Sequence, residues 1–390
     1  MLASPTYASD GNNQPDLNTS KENAPDTGAL ESAATENKTA TTGEKEPSSW
    51  EKILAKMPKF SGYLQTGWNY NSAGNHTSSF QAKRLRLIMD ANVISKVSVR
   101  LQIEAFNGIT GSTNGNGQKN IQVMDAFATA NITPVFKIRT GQYYLPLGYE
   151  NYDISPATLE TVDFSNICYR MVCRNAISYN IVDYGRDLGV MVFGDLFSNA
   201  DQGFSYLSYN LSLSNGSIPM KDDNNKSKDL VAAIEIRPIK LLNIKASYNW
   251  GEYNTSLGGA TDENGVALVN QDMNRFIVGA WYNDPMGLDL RAEYGHIAAD
   301  EYVKEDGFYA LAAYHIGKWL PVVRYDLYRD KVNTTTANNY NRILAGLTYE
   351  LMKNLKIQCN VGYSRYTDDA KDAIGKSGAT QIQLMGMFKF

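Results

Sequence analysis

The sequence predicts an all-β fold: a transmembrane antiparallel β-barrel of about 16 strands with an inward-folded third extracellular loop. Three observations predict it. A two-residue hydrophobic period runs from Lys59 to Phe390, connections alternate between short and long, and aromatic residues gather near strand ends. No stretch of the 390 residues approaches the roughly 18 to 20 consecutive apolar residues that a spanning helix needs. A barrel strand needs only about 9 to 11 residues with one apolar face. Mean hydropathy can therefore stay at -0.37 although 43% of the residues are hydrophobic. The 25 Tyr and 31 Gly beside 12 Pro and 3 Cys suit short alternating strands. The formal net charge of -4 lacks the basic excess of a general nucleic-acid binder.

The N-terminal MLASPTYASD has neither a basic n-region nor an apolar h-region. Its small residues are read either as the tail of a cleaved secretory signal or as an expression remnant. Residues 1–48 are rich in Asn, Thr, Glu, Lys and Asp, with almost nothing large and apolar to bury, which predicts a disordered leader. Residues 49–58 predict a short amphipathic helix. Trp50, Ile53, Leu54 and Met57 recur at helical spacing behind Ser48 or Ser49 as cap, in a segment that either flanks the periplasmic end or serves oligomerisation. The barrel occupies residues 59–390.

Within it KVSVRLQIEAF shows the period: Val97, Val99, Leu101, Ile103 and Ala105 share one face, and Ser98, Arg100, Gln102 and Glu104 the other. The pattern returns in KRLRLIMDA, YLSYNLSLS, LLNIKASYNW, LDLRAEYG, NLKIQCNVGY and the terminal TQIQLMGMFKF. Short links at 92–96, 132–134, 198–202, 238–240, 284–287, 317–318 and 352–353 alternate with longer polar ones. The longer links are read at 71–78, 108–119, 145–185, 216–227, 254–271, 298–304, 331–338 and 368–377. That parity is expected of periplasmic turns and extracellular loops. Tyr63, Trp68, Tyr248, Trp250, Trp281, Tyr282, Trp319 and Tyr363 are assigned to interfacial girdles, and Phe390 to the membrane boundary.

If the apolar set faces lipid, the alternate set lines a lumen. Its basic members are Arg84, Arg86, Arg100, Lys137, Arg139, Lys245, Arg275, Arg291, Arg324, Arg342 and Lys356. Its acidic members are Asp90, Glu104, Asp125, Glu235, Asp289, Glu293, Asp326 and Glu350. A basic surplus in a narrow low-dielectric tube favours anions. The same arginines can equally pair with carboxylates on neighbouring strands and brace the wall. Arg84, Arg86, Lys137 and Arg139, on the early strands that bracket the longest link, are the leading anion-site candidates.

That link, 145–185, is long enough to be functional and too rich in aromatic and aliphatic residues to be disordered, so it is placed in the lumen as a constriction. Glu150, Asp153, Glu160, Asp163, Arg170 and Arg174 would set its eyelet. Cys168 and Cys173 lie in the same loop, either as a disulfide or as buried thiols. Asp222, Asp223 and Asn224 lack the spacing of a bidentate calcium site, and no metal or cofactor is expected. His76, His296 and His315 are scattered singly, which offers no nucleophile and base pair for catalysis.

AKRLRLIMDANV, MDAFATANI with KIRTGQYYLPLGYE, GRDLGVMVFGD, and LSNG with DNNKSKDLVAAIEIRP resemble, in content, order and spacing, the phosphate-selective porin O and P family. The resemblance covers about Lys59 to Phe390. It implies a sixteen-stranded, usually trimeric barrel with the third extracellular loop folded inward, and an arginine ladder for phosphate to which Arg84, Arg86 and Arg139 correspond. The expectation is a water-filled outer-membrane channel for passive diffusion of small hydrophilic solutes, with modest preference for anions and phosphate as the candidate. Its partners would be lipid, the permeating solutes and two further copies of the chain. A scaffold barrel in a larger assembly and a barrel enzyme are the alternatives.

Overall fold

The computed structural model describes residues 57–73, 77–106, 121–173, 185–216, 223, 226–253, 271–300 and 302–390. The leader, most of the expected helix at 49–58, His76 and Arg174 lie outside the described residues. The first strands are β1 (Lys59–Asn71), β2 (Thr77–Ile94), β3 (Val97–Glu104), β4 (Gln122–Thr133) and β5 (Phe136–Tyr144). The helical turn α1 (Tyr149–Tyr152) and the π-helical turn Ile167–Val172 follow. Then come β6 (Arg186–Asn199), β7 (Phe204–Ser214), β8 (Asp229–Ile239), β9 (Leu242–Tyr253), β10 (Gln271–Asn283) and β11 (Leu288–Ala299). The chain ends with β12 (Val303–Tyr314), β13 (Trp319–Asp330), β14 (Tyr340–Met352), β15 (Leu355–Tyr366), α2 (Asp368–Ile374) and β16 (Gly378–Lys389).

Every strand pairs antiparallel with its sequence neighbours, and β1 pairs with β16 to close the barrel. At the seam the Gly62 amide donates to the Phe390 carbonyl (2.9 Å) and the Phe390 amide returns the bond (3.0 Å). Closure leaves no edge with unpaired backbone groups, the condition for strands to cross hydrocarbon. No helix among the described residues is long and apolar enough to cross a membrane.

The two-residue period sorts the faces as expected. On β8, Asp229, Val231, Ala233 and Glu235 are buried while Leu230, Ala232, Ile234 and Ile236 are exposed. Ile234 is 53% exposed and Leu230 39%, and comparable apolar residues recur around the wall. An apolar band of that extent is a lipid-facing surface. Trp250, Tyr248, Trp319 and Tyr363 stand outward, as girdle residues should. Tyr63 and Trp281 do not. They share parity with Gln65 and Arg275, so both point inward and are buried, and Trp281 donates its indole N–H to Asp289 (2.8 Å).

The link read as long at 298–304 reduces to residues 300–302, because β11 extends to Ala299. The last link, by contrast, contains α2, ended by Gly375 in the left-handed region (φ 73°).

Gly141 in β5 combines a φ of 118° with close approach: a Cβ there would lie 2.2 Å from the Ala126 carbonyl. Gly141→Val is expected to cost about 1–3 kcal/mol from backbone strain alone, read as a lower midpoint in chemical unfolding of the detergent-folded barrel. An unchanged midpoint would refute the assignment.

Candidate functional site

The inner wall and residues 145–173 form one unit. A main-chain bond from Leu145 N–H to the Gly185 carbonyl (2.8 Å) closes the loop's neck, and the Asn151 amide donates to both carbonyls. From there the loop crosses the barrel and touches strands far around the wall. Lys245 on β9 donates to Asp153 (2.5 Å). On β11, Glu293 accepts from the Tyr149 amide (2.7 Å) and Arg291 donates to Glu160 (2.7 Å). Arg324 on β13 donates to Thr161 Oγ1 (3.0 Å) and the Asp163 carbonyl (2.9 Å). Gln358 on β15 donates to the Leu159 carbonyl (3.1 Å) and Gln383 on β16 to Asp163 (2.6 Å). Arg84 on β2 donates to the Val162 carbonyl (3.2 Å).

The described part of the returning limb is fixed on β10 and β12, among the strands that hold the first limb. Arg170 donates to Glu305 on β12 (3.0 Å), and Arg275 on β10 donates to the carbonyls of Met171 (2.9 Å) and Val172 (3.1 Å). Apolar packing adds to these bonds: Leu145, Leu147, Ile167 and Met171 are buried against Ile277, Ile297, Tyr309 and Leu311 of the wall. Burying such side chains contributes about 1.5–3 kcal/mol each. The loop is therefore held by charge and by an apolar interface together.

The expected anion-site residues all face inward, and the structure shows what each touches. Arg86 pairs with Glu104 (2.9 Å). Arg100 makes two bonds to Asp90 (2.7 and 2.9 Å). Lys137 pairs with Asp195 (2.9 Å), and Arg139 stacks between the rings of Phe127 and Phe193 while donating to Thr129 (3.0 Å). Arg324 also pairs with Asp326 (2.9 Å), and Arg275 lies 3.7 Å from Asp229. Arg84, Arg86, Arg275, Arg291 and Arg324 are each at most 1% exposed. Each of these side chains is thus engaged by neighbouring groups of the described wall or loop.

Sequence reasoning missed Arg186, which pairs with Asp125 (2.5 Å) and stacks on Tyr144. It shares parity with the outward Leu188 and Val190, so alternation alone does not find it. It also missed Glu305, whose strand starts inside the link read as long.

Of the constriction candidates, Glu150 lies within 4 Å of Arg291 and Arg324, Asp153 pairs with Lys245 and Arg170 pairs with Glu305. The disulfide alternative is not realised: Cys168 and Cys173 are both buried thiols. They sit five residues apart at the ends of one π-helical turn, joined by the bond from Cys173 N–H to the Cys168 carbonyl (2.8 Å). A disulfide needs Cβ atoms about 3.5–4.5 Å apart, whereas these side chains pack with Ile154, Phe164 and Trp281 in an apolar cluster.

Burial raises the Glu150 carboxyl to about 7, against the opposing pull of Arg324 and Arg291, whose nitrogens stay 3.8 and 3.9 Å away. Burial acts on Asp163 in the same sense, but Lys83 and Arg84 hold it well below the usual carboxylate range. The sign for Glu150 follows from linkage. Between its ordinary 4.5 and about 7 the unfolded chain releases a proton that the folded loop keeps, so stability falls as pH rises through that window. Glu150→Gln is expected to flatten this slope, measured as unfolding midpoints from pH 4 to 8. A slope equal to the parent's would sink the assignment.

Residues 33–369 match the family model described as Gram-negative porin. No curated protein matches the sequence. Among solved structures, the chain is similar to Salmonella typhi OmpF in complex with daunomycin: 15% identity, TM-score 0.63, covering 86% of this chain and 98% of that one. It is also similar to an anion-selective porin from Comamonas acidovorans, at 16% identity, TM-score 0.57 and 86% and 99% coverage. For the trimer form of Vibrio cholerae OmpT the values are 13%, 0.55, 86% and 99%. These likenesses support the barrel fold described above. The chain belongs to the Gram-negative porins, channel-forming barrels of the bacterial outer membrane.

Proposed function

We propose that this porin conducts small hydrophilic solutes by passive diffusion through a bore narrowed by the 145–185 loop, as a homotrimer and without catalysis. The observation that carries the reading is a wall polar inside and apolar outside, crossed by a loop anchored on strands from β2 to β16. Preference for anions, phosphate included, is modest in this reading, because Arg86, Lys137, Arg186, Arg291 and Arg324 are each matched by a carboxylate within hydrogen-bonding distance. A paired wall has little residual potential to concentrate either ion. The phosphate-selective subfamily suggested by the sequence motifs therefore describes this chain's architecture better than its cargo. His296 on the outer wall and His315 in a turn fit the non-catalytic reading.

Planar-bilayer recording tests this. A small steady conductance is expected, with a reversal potential in a potassium chloride gradient only slightly toward chloride and little block by millimolar phosphate. Strong block by phosphate would instead establish the selective subfamily. The near-complete burial of the lumen arginines favours one second reading, a plugged scaffold barrel, and a silent reconstituted protein would select it.

A further inference from the structure

On the inner wall, the strands beside the barrel seam depart from the paired charges found elsewhere. The inward, alternate positions of 342–348 on β14, 358–366 on β15, 379–385 on β16 and 63–71 on β1 are rich in side-chain amides, and Arg342 is the one charged residue among them. Asn69, Gln383 and Asn360 stand in one register row across β1, β16 and β15, and the row continues to Gly346 on β14. One rung toward the extracellular end, Arg342 lies across Gly362, where a Cβ would be 2.8 Å from its Nε. The Arg342 guanidinium donates to Gln381 (2.7 Å), and Gln381 donates to Asn69 (3.2 Å). Three polar atoms of this patch are buried without a hydrogen-bond partner among the described residues: Asn360 Nδ2, Gln383 Oε1 and Arg342 Nε. Asn360 is 2% exposed and Gln383 1%, whereas Arg342, Gln381 and Gly346 are only half-buried, so the patch borders open lumen. Gln383 is held in one orientation. Its Nε2 donates to Asp163 (2.6 Å), a carboxylate that only accepts, which turns Oε1 away from that group.

We propose that this patch is a binding site for a neutral polyhydroxylated solute, a sugar, seated on the extracellular side of the loop; the proposal rests on the channel reading above and names a solute class for it. Buried polar groups are nearly always hydrogen-bonded, so three unpartnered atoms gathered at the border of the lumen point to a ligand that completes them. Two donors and one acceptor suit hydroxyls, each of which both donates and accepts. An inorganic anion brings acceptors and would face the Gln383 oxygen, while a cation would face Arg342. Asn360 and Gly362 are roughly 7 Å apart at a strand rise of about 3.3 Å per residue, a distance that one sugar ring bridges. The floor of the site is the loop itself, since Gln358, one rung below Asn360, donates to the Leu159 carbonyl (3.1 Å).

The test uses the full-length folded protein in detergent, with maltose as the probe in saturation-transfer difference NMR and potassium phosphate added as competitor. Binding of maltose is expected, undisturbed by phosphate. Asn360→Leu removes a side chain that makes no hydrogen bond to a described residue, and should weaken maltose about fivefold, the effect of one hydrogen bond. Asn360→Leu with Gln383→Met should weaken it about twentyfold. Heat-modifiable electrophoretic migration checks that each variant is folded. No binding of maltose, its displacement by phosphate, or full binding by the double variant overturns the proposal. Planar-bilayer recording separates this outcome from the channel reading. A protein that conducts potassium chloride but binds no maltose keeps the channel and loses the site. One that binds maltose, loses it in the double variant and is silent in bilayers keeps the site and loses the channel.

Discussion

Replacing Arg291 by Ala is expected to destabilise the folded barrel by about 3–5 kcal/mol, because it leaves the Glu160 carboxylate buried without its cation. Arg291 donates 2.7 Å to Glu160 and 3.1 Å to the Tyr309 hydroxyl, and Tyr309 in turn donates to Glu293, which receives the Tyr149 amide. One guanidinium thus ties the middle and the start of the loop to β11 and β12. Unfolding followed by tryptophan fluorescence should show the loss. In planar bilayers the loosened loop should give a larger and noisier current. The double variant Arg291→Gln with Glu160→Gln, which removes both charges together, should recover most of the stability. A loss below about 1 kcal/mol, as for an exposed pair, together with an unaltered current, would show that the loop is held elsewhere.

The second large effect concerns selectivity. Glu104→Gln combined with Asp125→Asn leaves Arg86 and Arg186 without their carboxylates, on adjoining parts of the wall where both arginines flank Tyr144. Two uncompensated cations in a low-dielectric tube should raise the permeability ratio of chloride to potassium by roughly tenfold. The mirror pair, Arg86→Gln with Arg186→Gln, should move it toward cations. Reversal potentials in a salt gradient measure both, and heat-modifiable electrophoretic migration checks that each variant is folded. If neither double variant moves the reversal potential, these pairs lie out of reach of the permeating ions and the wall's net charge is not what sets selectivity.

These two experiments bear on the point at which sequence reasoning stopped. Alternation assigned Arg84, Arg86, Arg100, Lys137, Arg139, Arg275, Arg291 and Arg324 to the inner face, and all of them are there, because a strand's side-chain period is two whatever its neighbours are. Whether such an arginine is offered to a solute or spent on a carboxylate depends on which residue stands across from it. Arg100 meets Asp90 through the β2–β3 register, while Arg291 meets Glu160 over 131 positions of chain. The first kind of pairing is nearly legible in a hairpin. The second is not, since nothing local links β11 to the loop.

The girdle assignments of Tyr63 and Trp281 failed for a related reason. Residue type near a strand end points to the interface, whereas parity with Gln65 and Arg275 places both inside. For Cys168 and Cys173 the sequence leaves a disulfide and buried thiols open, and the structure has the buried thiols.

The sequence alone determined the class of fold, the approximate strand count and the face on which most wall residues lie, since these follow from local periodicity and from the demand that lipid-exposed backbone be fully paired. Only the tertiary structure decided where residues 145–173 rest and which charges they meet. Those outcomes arise from contacts between residues far apart in the chain, whose energies depend on burial and geometry that no local pattern encodes.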